Sequence, residues 1–229
     1  MILIETPDKG VFLFNLLCVM TDRNYLQSLR TPTKEEPLRI LVSACLLGIT
    51  CGYDGTANGE YPSVLKLLQY DIVKLVRFCP EEHSFGSPRE MCDIHGGTGL
   101  DVLEGRAKVL SDTGKDWSEG MIRASERMLQ IAQQEDIELA VMMDISAACG
   151  SQVIYNGNRF AENKVYQIGA GVAAAKLMQN GFKVISQRDY ASLQILYSKL
   201  DERHVMDNNA LDHHETDWYK TYFNKGQII

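Results

Sequence analysis

Four short apolar runs, at residues 39–44, 73–78, 139–143 and 182–185, constrain this chain more than any other feature. Each is rich in β-branched and aliphatic residues, and stretches long enough for a helix separate them. Such runs read as strands buried on both faces, the pattern of a parallel sheet with helices on either side. The fold class that follows is α/β: a Rossmann-like, mostly parallel sheet flanked by helices. Parallel strands end on the same side, and in open sheets of this kind ligands bind in the crevice beyond those ends. Cys45 and Cys79 directly follow the first and second runs, and Cys149 comes shortly after the third. Three thiols distant in sequence are thereby expected to converge on one crevice, as a metal centre or a redox site.

The rest of the chain divides around that sheet. Residues 1–38 read as an N-terminal extension with a linker, because the segment 31–37 is polar and flanked by Pro32 and Pro37. Residues 39–202 form the α/β domain, and residues 203–229 a C-terminal tail. Within the domain, a glycine-rich loop covers 48–59 and a helix 62–69. A long loop is expected over 80–99, a length that within a compact domain points to function. Residues 101–110 suit an extra strand or hairpin arm. A helix runs to about Gln134, with Met121, Ile122, Met128, Leu129 and Ile131 as its apolar stripe. Further helices are expected over 169–179, ending at Asn180-Gly181, and from Asp189 to about Glu202.

Composition narrows the function classes. The 229 residues carry a net charge of −7, with 45% hydrophobic and 23% charged residues, which disfavours broad non-specific binding to nucleic acid. The apolar run at 11–20 is too short to span a membrane, and neither a basic region nor a small-residue cleavage pattern flanks it. It is expected to pack on the main body or on a partner subunit, which leaves a homodimer open. A cytoplasmic location follows, and there six cysteines read as metal ligands, reactive thiols or buried fillers rather than disulfides.

None of the three strand-end cysteines falls in a C-x-x-C pattern, so spacing by itself does not name a metal. The surrounding motifs are more specific. SACLLG, CGYDG, FCPE, SPRE with GGTGLDVL, SAACGSQVIYNG and IGAGVAAAKLMQNGFKV occur in that order. Over about residues 39–187 this resembles the domain-of-unknown-function family numbered 523, which includes thiouracil desulfurases. The resemblance implies an enzyme with a [4Fe-4S] cluster on three cysteines, here Cys45, Cys79 and Cys149, and one open iron. It implies removal of sulfur from a thiocarbonyl, as in a thiouracil-like nucleobase or a thiolated nucleoside, by hydrolysis without external electrons. A small-molecule thiolated substrate is favoured over RNA. The family's arginine before Tyr-Asp-Gly is Gly52 here, its S-P-S-C-G segment reads Ser146-Ala147-Ala148-Cys149-Gly150, and the loop after Cys79-Pro80-Glu81 is Glu82 to Gly86. A non-catalytic sulfur- or cluster-binding module and a zinc or purely structural domain are the alternative readings.

Other residues take supporting roles. Glu81, beside a candidate ligand, is a candidate general acid/base, and Asp54 shares that role. Gly48, Tyr53, Arg89 and Ser146 are assigned to substrate binding, with Arg89 offering a fork of donors to a carbonyl. Cys51 shares the loop of Cys45 and reads as inert or auxiliary; Cys18 and Cys92 read as filler. The Asp212-His213-His214-Glu215 run reads as a solvated tail rather than a metal site. Gly169 and Gly171 do not make a dinucleotide fingerprint.

Overall fold

The computed structural model describes residues 23–57, 59 and 61–224. The apolar run at 11–20 and Cys18 lie outside the described residues. In chain order the elements begin with α1 (Arg23–Ser28), β1 (Leu38–Ser43), a 3-10 turn (Ala44–Leu47), α2 (Pro62–Leu65) continued by a second 3-10 turn (Lys66–Gln69), and β2 (Val73–Phe78). Next come α3 (Pro80–Phe85), β3 (Cys92–His95), α4 (Gly99–Leu103), β4 (Lys108–Ser111), α5 (Ser118–Gln134) and β5 (Leu139–Met142). The hairpin β6 (Val153–Tyr155) and β7 (Tyr166–Ile168) follows, then α6 (Val172–Gln179), β8 (Val184–Ser186), α7 (Tyr190–Leu200), a 3-10 turn (His213–Glu215) and α8 (Asp217–Asn224).

The four apolar runs are the four strands of the central sheet, in the order β2-β1-β5-β8. All neighbouring pairs are parallel. Side chains alternate between its faces. Leu41, Ala140 and Met142 join α5 and α6 in one core, while Ile40, Val42, Leu139 and Val141 join α1 and α7 in the other. With both faces covered, alternation along the strand is not apolar against polar, which is why the runs are continuous. The α5 stripe meets the first core as its spacing requires, with Met121 and Met128 buried and Ile122, Leu129 and Ile131 packed beside them.

Strand order places the site. From β1 the chain steps outward to β2, then returns across β1 to β5 on its other side. The reversal lies between β1 and β5, and a crevice opens at their carboxyl ends.

Several local expectations are corrected. The segment 80–99 is not a plain loop. Pro80 at the first helical position, with Glu81 and Glu82 in the first turn, starts α3, and those residues complement the helix dipole. Cys92 to His95 pairs antiparallel with β4, too short a run to announce itself by period. Residues 101–103 belong to α4, begun by a Thr98/Asp101 capping box, so only 108–111 is strand. The helix expected from 169 starts at Val172, because Gly169 has φ 157° and Ala170 O accepts the Gly99 N–H. The tail histidines are not solvated: His213 is buried, and Asp212 caps its turn.

Candidate functional site

Each strand-end cysteine is held by a different local device. Cys45 lies in the 3-10 turn that leaves β1, a turn closed by Gly48 at φ 74°, whose N–H bonds Cys45 O. Cys79 is the N-cap of α3, and its Sγ accepts the Glu82 N–H at 3.4 Å. Cys149 sits in an irregular excursion between β5 and β6, and its thiol faces Ser43 at the end of β1. Ser43 Oγ also accepts the Met143 N–H at 3.1 Å, which joins the ends of the two central strands.

The three cysteines line one cavity of about 230 Å³, and Cys51 lines it with them. That volume is smaller than the roughly 300–1,000 Å³ of pockets that take drug-sized ligands. Cys51 faces Cys45 and Cys79 in that cavity, so the structure draws into the site a thiol that sequence reasoning set aside. The Cys51 and Cys79 sulfurs and a Glu82 carboxylate oxygen lie within 4.8 Å of one another. The hydrogen bond from Cys45 pushes the Cys51 thiol up to about 11. The Cys51 thiol, burial and the Glu81 charge raise Cys79 well above the ordinary thiol range. Burial, then the neighbouring Cys79, raises Cys149. A cationic metal centre bound here would offset these penalties and ionise the thiols.

The polar wall is a short network. Arg89 Nη2 donates to Glu81 Oε2 at 2.7 Å, and the Ser146 hydroxyl donates to Glu81 Oε1 at 3.2 Å. Arg89 Nη1 donates to Cys51 O at 2.9 Å, and Arg89 N–H to Tyr53 O at 2.7 Å, so Arg89 ties the Cys51 loop to α3. Its Nε is buried with no hydrogen-bond partner among the described residues. Ser146 Oγ accepts the Ala148 and Cys149 N–H groups at 3.2 and 3.0 Å, which turns the loop that carries Cys149.

Tyr53 and Asp54 lie on the exposed rim, and Asp54 Oδ1 is taken up by the N–H and hydroxyl of Thr56. Gly48 is a turn residue rather than part of the cavity lining. Gly52, where the family has arginine, allows a tight turn: a Cβ there would lie 2.6 Å from Thr56 O. Sequence reasoning missed Arg159, which lines the cavity while paired with Asp93 at 2.6 and 2.9 Å and set 4.9 Å from the Tyr155 ring. It lies between two short strands, in a stretch with no period to flag it.

The glycines that resembled a weak nucleotide motif have another purpose. The N–H groups of Gly171, Val172 and Ala173, orphan donors at the start of α6, bond the carbonyls of Gly150, Ala147 and Ala148. A Cβ on Gly171 would lie 2.6 Å from Ser146 O and 2.7 Å from Ala147 O. Gly171→Ala is expected to push the Cys149 loop off α6, lowering stability by about 1–3 kcal/mol, as overpacking does. Urea unfolding checks this; an unchanged midpoint would show that the loop yields freely.

Residues 40–189 match the family model described as 2-thiouracil desulfurase. The chain belongs to the 2-thiouracil desulfurase family. It is 40% identical over 151 residues to the uncharacterized protein YbbK of Bacillus subtilis (strain 168), covering 66% of this chain and 96% of that protein. It is also similar to the solved structure of a [4Fe-4S]-dependent thiouracil desulfidase, TudS, at 30% identity and a TM-score of 0.56. That match covers 70% of this chain and 98% of TudS. The donor set of this family member suits an iron–sulfur centre, since cysteine thiolates are the usual ligands and four thiols face one cavity.

Among the described residues, no helix is long and apolar enough to cross a membrane. A second cluster, Asp189, Asp212 and His214, also comes within 4.8 Å. Its carboxylates are engaged by Gln152, Ser192, Arg23 and backbone N–H groups, which makes it a structural junction.

Proposed function

We propose that this chain is a desulfurase that holds a [4Fe-4S] cluster on Cys45, Cys79 and Cys149 and removes sulfur from a small thiocarbonyl compound such as a thiouracil-like base or a thiolated nucleoside. The observation that carries the reading is the convergence of three strand-end cysteines on a cavity that also contains the Glu81–Arg89–Ser146 network. When bound on three thiolates, the cluster supplies an iron with an open position, a Lewis acid for a thiocarbonyl sulfur.

The net change is hydrolytic: thiocarbonyl and water give carbonyl and hydrogen sulfide, with no electrons exchanged. Glu81 holds the proton taken from the attacking water and returns it to the departing sulfur. Arg89 keeps that carboxylate in place through its Nη2 bond to Glu81 Oε2. Phe78, Met143 and Ile145 give the cavity an apolar wall that limits water to the reacting position. Asp54 has a minor part, because Thr56 already claims its carboxylate.

The test is anaerobic reconstitution followed by incubation with 2-thiouracil. The expected result is about four irons per chain and release of sulfide with formation of uracil in equal amounts. A chain that takes up iron but releases no sulfide would be a binding module, and one that takes up zinc alone a structural domain; either overturns the proposal.

A further inference from the structure

The excursion that carries Cys149 is held from outside the matched family region. Asp144, which follows β5, is 1% exposed. Its Oδ1 accepts the N–H groups of Ser151, Gln152 and Val153 at 3.1, 3.2 and 3.2 Å, closing the loop on itself. Its Oδ2 lies 2.5 Å from His213 Nδ1. The next residue, Ile145, has φ 56°, a conformation that a β-branched side chain rarely takes and that persists only where its surroundings enforce it. Ile145 lines the cavity.

His213 is built to hold that carboxylate. Its side chain is 3% exposed. Its ring stacks on Trp218 at 5.4 Å and 10°, and Tyr219 meets it edge-on. Its N–H donates to Asp189 Oδ1 at 3.1 Å, and both Asp189 oxygens accept Gln152 Nε2 at 2.7 Å. Asp212, one residue earlier, is bound to the N–H and hydroxyl of Ser192 on α7 and to Arg23 of α1. All these tail residues lie beyond residues 40–189.

We propose that the C-terminal segment is a clasp and His213 a positioning residue: through Asp144, it fixes the strained loop that presents Cys149 and Ile145 to the cavity. Without the His213 ring Nδ1–H, the buried Asp144 carboxylate loses a partner, and the three loop amides lose a fixed acceptor. The link to function rests on the reading that Cys149 holds the cluster; the link to loop order does not.

The test uses the full chain with His213→Ala and His213→Asn, the latter offering a side-chain N–H in place of Nδ1–H. In the cluster-free chain, His213→Ala is expected to speed amide exchange at Ser151, Gln152 and Val153 by roughly tenfold to a hundredfold, as for a lost charge-assisted hydrogen bond. The amides of Ile40 to Val42 serve as the reference and are expected to be unaffected. In the reconstituted chain, iron is expected to pass to a chelator at least about tenfold faster, and the electron paramagnetic resonance spectrum of the reduced cluster to broaden. His213→Asn is expected to restore both. Unchanged exchange at the three loop amides, or equal acceleration throughout the sheet, would overturn the clasp. Faster exchange with unaltered iron release would overturn its link to Cys149. If the wild-type chain takes up no iron, the cluster reading fails and the exchange measurement alone decides the clasp.

Discussion

Cys149→Ala, reconstituted anaerobically with iron and sulfide, is expected to lose nearly all of the about four irons that a cubane brings. Burial raises this thiol well above the ordinary range, so a bound metal is what would keep it as a thiolate. With Cys149 gone, Cys45, Cys51 and Cys79 still line the cavity, carried by the segments that follow β1 and β2. They still offer three sulfurs, but none from the β5 side. Cys51→Ala is the control: it removes a cavity thiol while keeping the three strand-end positions, and is expected to retain the visible absorbance of the cluster. If Cys149→Ala keeps its full iron and Cys51→Ala loses it, the ligand set is Cys45, Cys51 and Cys79, and the assignment is wrong.

Glu81→Gln is expected to lower the desulfuration rate by about 10²–10⁴-fold, the usual worth of a placed proton carrier, with iron content unchanged. The amide oxygen still accepts from Arg89, which keeps the side chain in place, while the NH2 now facing Ser146 Oγ cannot accept, and the proton acceptor is lost. Removing the charge beside the 5%-exposed Arg89 side chain also leaves that guanidinium without its counter-ion, and a drop in melting temperature is expected alongside. Rate and iron content are measured on the same preparation. A rate within about threefold of wild type, well below what general acid/base catalysis contributes, would remove Glu81 from the chemistry and return attention to Arg159.

The sheet and the converging cysteines were legible in the sequence because each depends on a single strand and its end. An apolar run such as 139–143 states its own burial, and parallel pairing then decides where Cys45, Cys79 and Cys149 come out. The features that escaped depend on partners far along the chain. His213 looks solvated beside Asp212 and Glu215, and only the fold brings it to Asp144, 69 residues away. Arg159 reaches the cavity from between β6 and β7, three-residue strands too short for a period. The α3 helix was hidden by punctuation: Pro80 and Gly86, read as loop residues, are its first turn and its C-cap. Cys51 was discounted on the chemistry of an open iron, and sequence carried no hint that its thiol would touch two others.

The order β2-β1-β5-β8 also bears on stability. Cys45, Cys79 and Cys149 stand on segments that meet only when the sheet is assembled, separated along the chain by 34 and 70 residues. A centre bound to all three acts as a three-way cross-link, and closing loops of that size removes roughly 3–5 kcal/mol of freedom per closure from an unfolded chain that still holds its metal. With the proposed cluster bound, cluster and sheet would form one cooperative unit. In the cluster-loaded chain, heat or denaturant that separates β1 from β5 is expected to release iron, and oxidation that removes iron to loosen the sheet between its two best-buried strands.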